Sequence, residues 1–160
     1  MLDKLQGRNG TGEFALRSMK NLDFVVNAQA GADVHPVTQT VGALLGIIVF
    51  PWERNALLAV KKKRLAVAAA EGWPAWKMTG PLVDADKIKA LGNLIEQVRH
   101  SVAHGKVTFD SDSKELEKVT VTFESYTRDG NTMKWRGVIR ADQLASFCRK
   151  FSACVADYVA

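Results

Sequence analysis

Apolar positions recur at helical spacing up to Gly105, switch to β-type alternation beyond it, and return to helical spacing in the tail. Phe14, Leu22, Val25 and Val26 among polar neighbours predict an amphipathic first helix, starting after the glycine-punctuated stretch Gly7 to Gly12. Pro36 sits where a first-turn proline belongs. Val37, Val41, Leu44, Leu45 and Ile48 follow at helical spacing until Pro51, which predicts a largely buried second helix. Glu53 to Glu71, rich in Ala, Leu and Lys, predicts a third. Gly72-Trp73-Pro74 through Gly80-Pro81 reads as a breaker-rich connection that its tryptophans hold down.

The most legible element is Asp84 to His104, where Ile88, Leu91, Ile95, Val98 and Val102 form one narrow apolar stripe. Gly105 stands where a left-handed residue commonly ends a helix, so the helix is expected to stop at His104. Val107 to Phe109, Val119 to Tyr126 and Met133 to Arg140 are rich in β-formers, with Asp129-Gly130-Asn131 between the last two, and predict a hairpin or small antiparallel sheet. From Asp142 onward, Leu144, Phe147, Cys148, Phe151, Val155 and Tyr158 share one face, so a closing helix should pack back on the bundle.

The chain of 160 residues, 47% hydrophobic and 24% charged, has apolar material for one core, and a single domain over residues 1–160 is expected. Disordered, collagen-like and low-complexity classes are excluded by that balance. Met1 to Gly10 lacks the apolar stretch of a secretory leader, and the longest apolar run, Val41 to Phe50, is about half what a membrane helix needs. A soluble, cytoplasmic protein without membrane attachment is expected. Cys148 and Cys154 lie six apart in a predicted helix, where rise and rotation separate the sulfurs, so no mutual disulfide is expected. The net charge of +5 favours polyanions by long-range attraction. The densest basic cluster, Lys61-Lys62-Lys63-Arg64, reads first as a solvated helix face.

Two of the three histidines close the legible helix in the run Arg99-His100-Ser101-Val102-Ala103-His104. With the stripe centred near Val102, both imidazoles point roughly 160° away from it, and Arg99 lies about 60° from its centre with a stem long enough to carry the guanidinium outward. A cation and two imidazoles therefore share one helix terminus. Solvated decoration is the plain reading of such residues. Zinc binding is a second, since histidines at i and i+4 can ligate one ion, although H-S-V-A-H lacks the glutamate of H-E-x-x-H and shows no third ligand.

Val98 to Gly105, V-R-H-S-V-A-H-G, resembles the signature of HEPN domains, in which Arg, a polar residue, three further residues and His close a helix. L-L-G-I-I-V-F-P-W-E-R at Leu44 to Arg54 is similar to a segment of a bacterial, often plasmid-borne HEPN branch that also follows its motif with strands and a final helix. The resemblance implies a mainly α HEPN-type bundle with a small antiparallel hairpin or sheet inserted between the motif helix and the C-terminal helix. It further implies a homodimer whose two motif copies meet at the interface and cut RNA without metal or cofactor. Arg99 and His104 inherit the catalytic roles, and His100, where Asn is commoner, takes a phosphate-contacting or supporting one.

The chemistry suits those residue types. Metal-free RNA cleavage needs a base for the 2′-hydroxyl, an acid for the leaving 5′-oxygen and positive charge on the transition state. Imidazole moves protons near neutral pH, and a guanidinium binds two phosphate oxygens together. The expected function is a toxin or defence ribonuclease. The alternative is a HEPN-fold RNA- or nucleotide-binding module, or the partner of a nucleotidyltransferase-type antitoxin. His35, Asp110, Asp112 and Glu115 read as loop, turn and solvated positions, and Trp52 and Trp135 as core or interface aromatics.

Overall fold

A computed structural model describes residues 8–28, 31–49 and 58–159. Helix α1 (Arg8–Val26) begins earlier than expected and carries Gly10 and Gly12 inside it. Each such glycine weakens a helix by about 1 kcal/mol relative to alanine. Burial of Ala15, Met19 and Leu22 outweighs that local preference. Helix α2 (Pro36–Leu44) starts at its proline as expected, and Leu45–Val49 continue it as a π-helical turn that buries Ile47 and Ile48. Phe50 to Arg54 of the family-like segment, Trp52 included, lie outside the described residues.

The expected third helix is two short ones, α3 (Leu58–Lys62) and α4 (Leu65–Ala70). Between them Arg64 pairs with Ala90 in an isolated antiparallel bridge, with Leu65 N–H donating to Lys89 O at 2.9 Å and Leu91 N–H to Lys63 O at 2.9 Å. The same bridge corrects the start of the long helix. Ala90 is extended at φ −126° and Asp86 is left-handed at φ 55°, so Pro81–Asp84 is a separate turn of helix, α5, and helix α6 runs only from Leu91 to Ala103. Gly92 lets the two segments touch, since a Cβ there would stand 2.7 Å from Lys61 O.

Strands β1 (Lys77–Thr79), β2 (Val107–Phe109), β3 (Thr120–Tyr126) and β4 (Met133–Arg140) form one antiparallel sheet in the order β1-β4-β3-β2. The last three match the sequence expectation. Strand β1 does not: it comes from the breaker-rich connection ahead of α6, so the sheet is more than an insertion between α6 and the closing helix. A three-residue edge strand held by β4 carries too short an alternation to be read in sequence. Val121, Phe123 and Ser125 on β3 and Trp135, Gly137 and Ile139 on β4 turn inward, as period-two alternation dictates.

Helix α7 (Ala141–Val159) lies against α1, where Arg149 Nη2 meets Asp23 Oδ1 at 2.9 Å. Phe147 and Phe151 of α7 are fully buried, and Phe147 meets Trp73 and Trp76 edge-on at 5.3 and 5.6 Å. Cys148 and Cys154 are both free thiols, and burial pushes the Cys148 thiol up to about 12. Among the described residues no helix is long and apolar enough to cross a membrane.

Candidate active site

Both ends of α6 are fixed by local chemistry. At the start, Asn93 Oδ1 accepts from Ala90 N–H at 3.0 Å and from Lys89 N–H at 3.2 Å, which meets two amides at the helix entry. At the finish, Gly105 adopts φ +63°, with Gly105 N–H bonded to Val102 O at 3.1 Å and Lys106 N–H to Ser101 O at 2.8 Å. This is a Schellman ending, which only a residue tolerant of left-handed backbone closes without strain. His104 is thereby the cap residue, exposed at the tip, and the chain turns at once into β2.

The buried face of α6 is rotated from the expected stripe. Leu91, Leu94, Ile95 and Val98 are buried, but so are Gln97 and Ser101, while Val102 is half-buried. Both polar residues are satisfied: Ser101 Oγ donates to Gln97 O at 2.8 Å, and Ser125 Oγ on β3 donates to Gln97 Oε1 at 2.6 Å. At about 100° per residue, Arg99 and His104 then lie on opposite flanks of that face, roughly 140° apart. His100 lies farther still from that face by the same arithmetic, and is half-buried.

An open groove of ≈ 440 Å³ separates the α6 tip from the β3–β4 hairpin. His100 and His104 form one wall, and Glu124, Tyr126, Arg128 and Lys134 of the hairpin belong to the other. Lys106 lines it too, at the foot of β2. Arg99 stands outside these walls and is half-buried, but its charge still reaches His100. Burial holds the His100 imidazole below its ordinary range; the charges of Lys134, Arg99 and His104 push the same way, and Glu96 opposes them.

The chain belongs to the HEPN family. The family model described as HEPN pEK499 p136 matches residues 6–160. No curated protein and no solved structure gives a match. Within this HEPN chain His100 and His104 share one groove, and Arg99 is not among the residues that line it.

The hairpin wall of the HEPN groove was not legible in sequence. Strand pairing is regular from Thr120↔Arg140 to Ser125↔Trp135, then shifts so that Tyr126 pairs with Met133 and Lys134 has no partner. Such a bulge turns side chains out of their alternation. Tyr126 Oη donates to Glu124 Oε2 at 2.8 Å, and Arg136, opposite Glu124 in the ladder, donates from Nε to Oε1 at 2.7 Å. Those bonds, Tyr126 first and then Arg136, draw the Glu124 carboxyl below its usual range, and the same bond raises the Tyr126 phenol.

The other polar residues singled out from sequence do local work. Asp110 Oδ1 accepts from Thr120 N–H at 2.7 Å, and Glu115 pairs with Lys118 at 2.7 Å. His35 and Asp112 are exposed beside a separate groove at the start of α2. Trp135 is fully buried core. The Lys61 to Arg64 cluster is not one helix face: it straddles the α3–α4 break, and Lys63 pairs with Glu71. Among the described residues, no three His, Cys, Asp or Glu side chains gather as a metal would need.

Proposed function

We propose that the protein is a metal-independent endoribonuclease of HEPN type, acting as a toxin or defence effector. The observation that carries this reading is the groove: two imidazoles, His100 and His104, face Lys106, Arg128 and Lys134 across a space of ≈ 440 Å³. The His104 imidazole, neutral, takes the 2′-hydroxyl proton and, once charged, returns it to the leaving 5′-oxygen, while surrounding cations offset charge on the phosphorane-like transition state. The product is a 2′,3′-cyclic phosphate, and DNA, lacking the nucleophile, is refractory.

Arg99 and His104 carry catalysis in this reading, with His100 supporting. Their divergence on α6 favours a composite site in a homodimer, where a second copy delivers its Arg99 to a phosphodiester that His104 addresses. The test is cleavage of labelled RNA in EDTA by wild type, Arg99→Ala and His104→Ala. Both variants should fold and lose cleavage, and mixing them should restore activity through dimers that hold one intact composite site. Wild-type activity in either variant, or equal cutting of DNA, refutes the reading. Binding without cleavage across a broad RNA panel would favour the binding-module alternative, which the same basic groove supports.

A further inference from the structure

The proposed ribonuclease needs a way to hold RNA beside His104, and the hairpin wall carries a side chain suited to it. Tyr126 lines the groove at the strand position where the β3–β4 ladder loses register. Inward-facing β3 residues are Val121, Phe123 and Ser125, so Tyr126 is not one of the core aromatics; it is half-buried, against full burial for Phe123 and Trp135. Its orientation is nevertheless fixed. The hydroxyl is tied to Glu124, and Glu124 is tied to Arg136, so the ring is held by a chain of bonds at 2.8 and 2.7 Å.

The surroundings are those of a nucleic-acid base rather than of an apolar ligand. Lys106 Nζ sits over one face of the Tyr126 ring, 5.2 Å from its centroid, so a base would stack on the opposite face, and Lys134, the unpaired residue of the bulge, lines the same groove with Arg128. The one carboxylate on this wall, Glu124, is already engaged by Arg136 at 2.6 Å and opposes an incoming phosphate little. A rigid aromatic plate flanked by cations is the arrangement by which single strands are bound: the bases stack and the backbone runs along the positive charge.

We propose that Tyr126 is a stacking platform for an unpaired RNA base, flanked by Lys106 and Lys134, that sets the substrate as single-stranded RNA and seats the adjoining phosphodiester near His104. This rests on the ribonuclease reading. A paired base has both faces covered by its neighbours and cannot reach the ring, so duplex RNA is a poor ligand.

The test separates the two ideas. A short RNA with 2′-O-methyl riboses and one 2-aminopurine is titrated in EDTA into the full-length protein, so binding is read where cleavage is blocked. Wild type and Tyr126→Phe, which keeps the ring and loses the Glu124 bond, should quench the 2-aminopurine. Tyr126→Leu should abolish the quench and weaken binding about tenfold. An oligonucleotide abasic at that position should bind wild type and Tyr126→Leu equally, and a duplex should not compete. Unchanged affinity or retained quenching in Tyr126→Leu overturns the platform, as does equal competition by duplex. Tyr126-dependent quenching in a protein that cuts no unmodified RNA would uphold the platform and refute the nuclease. Cleavage with Tyr126-independent binding would refute the platform alone.

Discussion

The bond between Ser125 and Gln97 fastens helix α6 to the sheet. Ser125 is 2% exposed and Gln97 6%, and their side chains meet at 2.6 Å. Replacing Ser125 with Ala removes the donor and strands the Gln97 amide oxygen where water reaches it poorly. An unsatisfied buried acceptor costs about 1–3 kcal/mol, more than the roughly 1 kcal/mol that such a bond contributes net. Gln97→Leu strands the Ser125 hydroxyl in the same way and should cost a similar amount. The double variant leaves neither group unpaired and places apolar surface against apolar surface. It should therefore be less destabilised than the sum of the single changes, with a coupling of about 1–2 kcal/mol. Urea denaturation of the four proteins, followed by circular dichroism at fixed protein concentration, gives the cycle. Additive losses within about 0.5 kcal/mol would show that the two residues act independently and refute the claim that this bond pins α6 to β3.

Gly105→Ala should destabilise by about 1 kcal/mol, because a Cβ disfavours the left-handed backbone at φ +63°; an unchanged denaturation midpoint would contradict the Schellman ending. Gly92→Ala puts a methyl 2.7 Å from Lys61 O and should cost about 1–3 kcal/mol by forcing α3 and α6 apart, read by the same denaturation. His100 makes stability depend on pH. Its folded pKa is below the ordinary value of 6.5, so as pH falls the unfolded chain takes the proton first. Its contribution is complete above about 6.5, declines as pH falls from there toward the lower folded value, and then levels off; His100→Asn should remove that component, and identical pH profiles for the two proteins would refute it. Binding of RNA in the groove should weaken steeply with salt, since Lys106, Arg128 and Lys134 displace counterions from phosphate; a flat salt dependence would place the RNA elsewhere.

Much of the candidate site was legible in the chain and part of it was not, for a physical reason in each case. His100 and His104 were placed off the apolar stripe by angular period alone, and the groove they line opens between the α6 tip and the β3–β4 hairpin. Arg99 was expected beside them. Its angular separation from them was already set by the helical period; what the apolar count missed is the burial of Gln97 and Ser101, which the structure bonds to β3 and to the helix backbone. Burial of a satisfied polar group carries no hydrophobic signature, so periodicity underestimated the width of the core face and misplaced its centre. Tyr126, Lys106 and Lys134 were invisible as site residues because what unites them is a register shift and a neighbouring helix tip.

Local sequence determined where elements of one kind give way to another. Pro36 opens α2, Gly105 ends α6, and V-T-V-T-F-E-S-Y alternates into β3, because each depends on backbone preferences or side-chain period within a few residues. The tertiary structure decided what those elements are cut into and what they enclose. The Arg64↔Ala90 bridge divided two predicted helices, the edge of β4 recruited Lys77–Thr79 as a strand, and packing on α7 carried α1 through two glycines. Hydrogen bonds and burial between residues distant in sequence outweigh propensities of about 1 kcal/mol or less per residue, so the shape of the groove belongs to the fold as a whole.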